Sequence, residues 1–163
     1  MGRFIFTSRL EERHRDDLES LLYFNPGQRR VLDQVEKVIE NWGTPEIRVE
    51  NGFLKVALSV VPEVQSLFVL DAAAEAARLA GVVVFTRQDE ENLELLHLAV
   101  AEDYSTNGSY AGEKLVLSML GRVREIARMI RGVRWIVLRY QGGITVPVRN
   151  RHDGFLDQTG KLL

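Results

Sequence analysis

Residues 81–140 read GVVVFTRQDEENLELLHLAVAEDYSTNGSYAGEKLVLSMLGRVREIARMIRGVRWIVLRY. Apolar runs bounded by turn residues predict strands at Leu79 to Arg87, Leu93 to Val100 and Arg134 to Tyr140. Apolar residues at helical spacing predict a helix from about Glu113 to Arg131. The short charged turn between the first two strands favours antiparallel pairing, and the intervening helix favours a parallel crossover to the third.

The flanking sequence extends this sheet and adds helices. Arg3 to Thr7 and Val64 to Leu70 are predicted strands, and Asn51-Gly52 is a strong two-residue hairpin signal. Helical spacing marks Glu12 to Tyr23 and a second segment from Asn25 to Trp42. The predicted class is α+β, an α/β sandwich whose mixed, mostly antiparallel central sheet is flanked by helices, in a single domain spanning residues 1–163.

Composition excludes several classes of site. The chain has 163 residues, with 45% hydrophobic and 27% charged residues and a net charge of −2. This balance gives no global attraction to nucleic acid or an anionic membrane, so neither is an expected partner. The sequence contains no cysteine, which excludes disulfides and thiolate metal sites. No apolar run approaches the roughly 20 residues that a spanning helix needs.

The loop between the second strand and the long helix is a candidate anion site. It runs from Asp103 to Gly112, and a helix N-terminus after a glycine-containing loop can present unpaired N–H groups to an anion. Whether a phosphate-bearing cofactor binds there is the main functional question that the sequence raises.

The run from Leu95 to Tyr104 and the loop that follows it resemble the GNAT superfamily of acyl-CoA N-acyltransferases. The resemblance covers roughly Gln65 to Phe155, and Gly154-Phe155 also match the end of that family's closing segment. It implies a GNAT-like fold and a cofactor that is acetyl-CoA or another acyl-CoA. By this resemblance the cofactor would contact the backbone of Leu98 and Val100 and then the loop residues Asn107, Gly108, Ser109, Tyr110, Ala111 and Gly112.

Several features differ from the family pattern. Tyr110 occupies the position of the motif's middle glycine, where a side chain would obstruct close approach of phosphate to the backbone. Asn150 occupies the position at which many members have a general-acid tyrosine, and an amide cannot fill that role. Gly142, Gly143 and Pro147 argue against the helix that usually follows the family's fifth strand.

Glu94 and His97 are the two candidates for the general base that an amine acceptor requires. Because an odd number of positions separates them, a regular strand would place them on opposite faces, so that only one could face a substrate. For each there is also a structural interpretation: a histidine among leucines is commonly a hydrogen-bonded core residue, and a glutamate near a strand end is commonly solvated.

Two functional hypotheses remain open. The first is an acyl-CoA-dependent N-acyltransferase acting on a small-molecule or protein amine, with Glu94 or His97 as base. The second is a catalytically inactive GNAT-like binding or assembly module, or an acyltransferase that uses an acyl carrier protein, whose acidic surface could meet Arg124, Arg128 and Arg131. A cytoplasmic location is expected, and the sequence permits a homodimer.

Overall fold

The computed structural model describes residues 2–23, 39–61, 63–73, 75–105, 108–110, 114–139 and 142–149. Nine strands and two α-helices have defined bounds within these residues. The strands are β1 (Phe4–Thr7), β2 (Leu10–Glu11), β3 (Pro45–Glu50), β4 (Phe53–Leu58), β5 (Gln65–Asp71), β6 (Arg78–Thr86), β7 (Asn92–Val100), β8 (Trp135–Leu138) and β9 (Ile144–Pro147). The helices are α1 (Arg15–Tyr23) and α2 (Leu115–Met129), with short 3₁₀ turns at Glu12–His14 and Glu102–Tyr104.

The central sheet has six strands in the order β1-β5-β6-β7-β8-β9. Every neighbouring pair is antiparallel except β7 and β8, which are parallel and joined by the α2 crossover. The predicted mixed, mostly antiparallel sheet and the α+β class are therefore confirmed, as are the hairpin between β6 and β7 and the parallel crossover.

A separate three-stranded sheet, β2-β4-β3, is organised around the predicted hairpin. Asn51 and Gly52 form its turn with φ of 53° and 81°. Two successive positive φ angles match a type I′ turn, whose twist suits a two-residue hairpin and whose geometry favours Asn-Gly. Most of the helix predicted from Asn25 lies outside the described residues, but residues 39–42 are helical and end before Gly43, which has φ +87°.

Each face of the central sheet is covered by its own apolar cluster. The first core joins one face to α1 and the small sheet, through side chains such as Leu18, Leu54, Phe68, Val84 and Leu96. The second core joins the other face to α2, through side chains such as Val69, Val83, Leu95, Met119 and Val123. Because β5, β6 and β7 alternate apolar side chains into both cores, their sequences are almost continuously apolar.

The edge strand after β8 was not predicted from the sequence. The tail from Ile144 had given no clear prediction, and the structure places Ile144–Pro147 as an edge strand antiparallel to β8. Gly142 and Gly143 have φ of 76° and 82° and precede it. Only residues 139–143 separate the two strands, which is too short for a helix of ordinary length, as the glycines had indicated.

Candidate active site

Glu94 is a buried carboxylate on β7, near the point where β7 pairs with β8. Its side chain is only 7% exposed and faces the guanidinium of Arg139, which follows the end of β8. Arg139 donates Nη2 to Oε1 at 3.2 Å and Nε to Oε2 at 3.4 Å. This two-point arrangement orients the carboxylate, while the long distances and the 41% exposed arginine leave its oxygens able to accept further hydrogen bonds.

His97 lies three residues further along β7 and is buried to 4% exposure. Its Nε2 has no hydrogen-bond partner among the described residues. Burial lowers the pKa of the imidazole to about 4, because the charged form would lose its hydration. At neutral pH the ring is therefore uncharged, and its unpartnered nitrogen can take part in a hydrogen bond with a ligand but is a weak proton acceptor.

A β-bulge places these two side chains on the same face of the sheet, contrary to the sequence expectation. Glu94 lies opposite Thr86 and His97 lies opposite Val84, so three steps on β7 match two steps on β6. Residues directly opposite in antiparallel strands share a face, and Thr86 and Val84 are two positions apart. The prediction of opposite faces was wrong because it assumed a regular strand, and the extra residue of the bulge reverses the alternation.

Beyond this bulge, β7 loses its parallel neighbour. The pairing between β7 and β8 runs from Asn92 opposite Trp135 to Leu95 opposite Leu138, and then ends. Residues 96–99 continue as a strand paired with β6, but no described strand pairs with them on the side of β8. The divergence opens an edge of backbone N–H and C=O groups next to Glu94 and His97.

Leu98 and Val100, the first two predicted cofactor contacts, lie on this diverging part of β7. Both side chains are partly buried against the second core, so any contact from the open edge would involve backbone groups. On the other side, Leu98 lies opposite Val83 and Val100 lies opposite Gly81 in the ladder with β6.

In the described part of the predicted phosphate loop, two backbone N–H groups donate hydrogen bonds to carbonyls of the same loop region. Gly108 donates its N–H to the carbonyl of Ser105 at 2.9 Å, and Tyr110 donates to the carbonyl of Asp103 at 2.7 Å. The α-carbon of Gly108 lies so close to the carbonyls of Glu102 and Asp103 that a Cβ could not fit there. In this conformation these two amides are not available to a pyrophosphate, and the glycine serves the turn itself. Asn107, Ala111 and Gly112 lie outside the described residues, and Ser109 is exposed.

Tyr110 belongs to a cluster of four side chains, here called the aromatic-arginine cluster. The other three members are Arg3, Asp71 and Tyr104. Its ring stacks on Tyr104 with centroids 5.2 Å apart at 27°. The guanidinium of Arg3 lies 4.1 Å from the centre of the Tyr110 ring, within cation–π range. The cluster thus connects the loop after β7 to the strands β1 and β5, which form the edge of the central sheet that is remote from β8.

Asp71 is the charged centre of this cluster. It accepts hydrogen bonds from Nε and Nη2 of Arg3, from the hydroxyl of Tyr104 and from the N–H of Ala73. Hydrogen bonding from Arg3 is the main reason that the pKa of Asp71 lies well below its ordinary value. Burial, followed by the bond to the Asp71 carboxylate, raises the pKa of Tyr104 to about 12.

The helix arginines do not form the single exposed face that the sequence suggested. Arg124 is buried and donates Nε to the carbonyl of Val148 at 3.1 Å and Nη2 to the carbonyl of Pro147 at 2.8 Å. Arg128 donates Nε to the Val148 carbonyl at 3.3 Å. These two side chains attach the end of β9 to α2. Arg124 is therefore not exposed to an acidic carrier protein, whereas Arg131 is.

Sequence reasoning missed Arg139 and Arg3 as parts of these two groups. Arg139 could have been found once the parallel register was known, because Val137 lies opposite Glu94 and Arg139 is two positions further on the same face. Arg3 gave no local signal, since its partner Asp71 is remote in sequence and the two meet only through the pairing of β1 with β5. No group of three or more histidine, aspartate or glutamate side chains suited to a metal occurs in the part of the chain that the structure describes.

Comparisons with known proteins give one distant likeness. No protein-family model matches the chain, and no curated protein matches its sequence. The crystal structure of an acetyltransferase from Streptococcus agalactiae 2603 is similar, with 14% identity and a TM-score of 0.43, over 85% of this chain and 73% of that one. At this identity and TM-score the likeness does not bear on function, which has to be argued from the site itself. None of the helices in the described segments is long and apolar enough to cross a membrane.

Proposed function

We propose that the protein is an N-acyltransferase of GNAT type that moves an acyl group from a thioester to an amine. The observation that carries this proposal is the divergence of β7 from β8 beside two buried titratable groups on one face. An acyl transfer needs a place for the thioester, donors for the developing oxyanion and a base for the amine proton. The open edge of residues 96–99 offers the first two, and Glu94 offers the third.

Glu94 is the base in this proposal, and His97 orients the acceptor. The amine nitrogen attacks the thioester carbonyl carbon, Glu94 takes the proton that the nitrogen loses, and the carbon–sulfur bond breaks to release a thiolate that is then protonated. Arg139 holds the carboxylate in place. His97 is given the positioning role because burial lowers its pKa to about 4 and so disfavours the cation that it would become as a base, while its Nε2, which has no partner among the described residues, suits a hydrogen bond with the acceptor.

The donor in the first form of the proposal is acetyl-CoA or a longer acyl-CoA, with a small-molecule or protein amine as acceptor in the cytoplasm. The loop restricts how coenzyme A could bind, because the amides of Gly108 and Tyr110 already donate within the loop. A pyrophosphate would have to displace those bonds or be held by other groups. We therefore derive no step through the loop.

The internal hydrogen bonds of the loop favour a second candidate. In this candidate the donor is an acyl carrier protein, or the fold serves as a binding module without catalysis. Tyr110 stacked on Tyr104 and covered by Arg3 fixes the loop in its self-bonded form. A carrier protein would bring the acyl chain to the open edge of β7 without needing a pyrophosphate site.

Calorimetry with acetyl-CoA and a longer acyl-CoA, followed by an amine acceptor screen, tests the proposal. We expect micromolar acyl-CoA binding and a turnover that Glu94→Gln lowers by about 10² to 10⁴-fold. Glu125→Gln, on the exposed face of α2, is the matched control and should leave turnover unchanged. His97→Ala should raise KM for the amine more than it lowers kcat.

Two results would decide against parts of the proposal. Turnover that survives both Glu94→Gln and His97→Ala would exclude the general-base role. Absence of acyl-CoA binding at millimolar concentration would exclude the coenzyme A donor and favour the second candidate. Tyr110→Gly separates the loop from the edge: it should strengthen acyl-CoA binding if the stacked tyrosine excludes pyrophosphate, and leave binding unchanged if the donor never reaches the loop.

A further inference from the structure

A concave site lies at the other end of β8 from the Glu94–Arg139 pair. It is a cavity of about 490 Å³ between the end of α2, the start of β8 and the end of β9. Its volume is within the range typical of small-ligand pockets, roughly 300–1,000 Å³. Three arginines line it, Arg131, Arg134 and Arg149, and none of the described lining residues is acidic. We call it the arginine pocket.

The fold leaves these guanidinium groups only weakly engaged. Arg131 makes no side-chain hydrogen bond or ion pair within the described residues. Arg134 faces Glu91 at 3.7 Å with its side chain 72% exposed, and Arg149 donates to the carbonyl of Arg128 at 3.4 Å. Loose, exposed contacts of this kind contribute little to stability, so an anion could replace them at low cost.

The end of α2 does not explain all of these arginines. Cations near a helix C-terminus are stabilised by the helix dipole and by the last carbonyls. Arg87 already donates to the carbonyl of Arg131 at 3.0 Å, and Arg149 to that of Arg128. The side chains of Arg131 and Arg134 are therefore not needed for this purpose, and they remain available at the pocket.

The pocket also has an apolar, partly aromatic wall. Trp135 is half-buried at the start of β8 and lies opposite Pro147 on β9. Val133 and Ile130 complete the apolar lining. A tryptophan face is a favourable stacking surface for a nucleobase, and arginine forks bind phosphate bidentately.

From this combination we propose that the arginine pocket binds a nucleoside phosphate, with the base against Trp135 and the phosphates between Arg131 and Arg134. This site is separate from the proposed acyl-transfer site, because the two lie at opposite ends of β8. A ligand in the arginine pocket would contact the segment between α2 and β8 and the end of β9, but not the Glu94 carboxylate.

Calorimetric titration of the full chain with ADP, adenosine and inorganic pyrophosphate tests the proposal. We expect ADP to bind, and adenosine and pyrophosphate each to bind at least about tenfold more weakly, because each lacks half of the recognised chemistry. Arg131→Ala combined with Arg134→Ala should weaken ADP binding by about tenfold or more. Arg122→Ala, on the exposed face of the same helix, should not change it.

Tryptophan fluorescence gives an independent measurement of the base contact. In a Trp42→Phe background, ADP should quench Trp135, and the quenching should titrate with the calorimetric affinity. Failure of ADP to bind at millimolar concentration would overturn the proposal, as would ADP binding that is unchanged in the double arginine variant. Equal affinity for pyrophosphate and ADP without quenching would also overturn it, by showing that the pocket binds a simple anion.

Discussion

Asp71 shows how one buried carboxylate organises several distant parts of the chain. It accepts hydrogen bonds from two nitrogens of Arg3, from the Tyr104 hydroxyl and from the Ala73 N–H, and is almost fully buried. Removing one partner of a buried ion pair leaves the other charge without compensation, at a cost of about 3–5 kcal/mol. The aromatic-arginine cluster and the loop that carries Tyr110 thus depend on this single side chain.

We expect Asp71→Asn to lower the free energy of unfolding by about 2–4 kcal/mol at pH 7, because the amide keeps the shape but loses the charge. Since the pKa of folded Asp71 lies well below its ordinary 3.8, its stabilisation is complete above about pH 5 and is lost as pH falls below 4. Urea unfolding should therefore show a constant difference between wild type and variant from pH 5 to 8, which shrinks in stronger acid.

The matched control for that experiment is Asp103→Asn. Asp103 also pairs with an arginine, Arg78, at 2.6 Å, but their side chains are 42% and 44% exposed. Exposed ion pairs contribute about 0–1 kcal/mol. A loss as large in Asp103→Asn as in Asp71→Asn would show that burial is not what makes the Asp71 pair important.

His97 should make stability pH-dependent in a different window. Its folded pKa is about 4 against an ordinary value of 6.5, so in mild acid the unfolded chain takes up the proton first. Stability is then complete above pH 6.5 and falls by up to about 3 kcal/mol between pH 6.5 and 4. His97→Leu removes this titration, so its unfolding free energy should decline less than that of wild type over the same range. Equal pH profiles would show that His97 is not buried in the neutral form.

At the scale of elements, the loop after β7 and the helix α2 use their glycines in opposite ways. A Cβ on Gly108 would collide with the carbonyls of Glu102 and Asp103, whereas a Cβ on Gly121 in α2 would meet nothing within 4 Å. We expect Gly108→Ala to disrupt the loop and destabilise the protein by about 1–3 kcal/mol. Gly121→Ala should instead stabilise it by about 0.5–1 kcal/mol, because alanine is the better helix former.

Thermal unfolding, together with the stacking of Tyr110 measured by near-UV circular dichroism, distinguishes these effects. The Tyr110 signal should weaken in Gly108→Ala and be unchanged in Gly121→Ala. A Gly108→Ala protein with wild-type stability and spectrum would mean that the loop adopts another conformation in solution, in which its amides could face a ligand.

The sequence predicted most elements but not the irregularities that shape the candidate site. Regular strands and helices follow from periodicity, so the β6–β7 hairpin, the α2 crossover and the Asn51-Gly52 turn were predicted correctly. The bulge on β7 is a single extra residue, Leu96, in a strand that is otherwise largely apolar, and one more leucine there leaves no compositional signal. Arg124 has the sequence context of an exposed helix residue, and only the return of β9 beside α2 makes it buried.

For the whole molecule, the central question is whether the two cores unfold together. Strands β5, β6 and β7 contribute side chains to both cores, for example Phe68 and Val69 on adjacent positions of β5. One face of these strands is covered by α1 and the small sheet, and the other by α2. Neither layer can remain folded without the shared strands, so we expect one cooperative transition and a single domain. The two tryptophans report on different parts of this arrangement, because Trp42 packs against the first core and Trp135 lies at the start of β8 in the central sheet.

Single-tryptophan variants test this expectation directly. Trp135→Phe leaves Trp42 as the fluorescent probe, and Trp42→Phe leaves Trp135, so one protein reports on the packing against the first core and the other on the start of β8. Each variant's fluorescence midpoint in urea should coincide with its own far-UV circular dichroism midpoint, because a two-state protein loses all structure in one step. If the Trp42 signal changes at lower urea than the secondary structure of the same variant, α1 and the small sheet separate before the central sheet unfolds. In that case the buried face that carries Glu94 and His97 would open in a partly folded state, and access to the candidate active site would be governed by that opening.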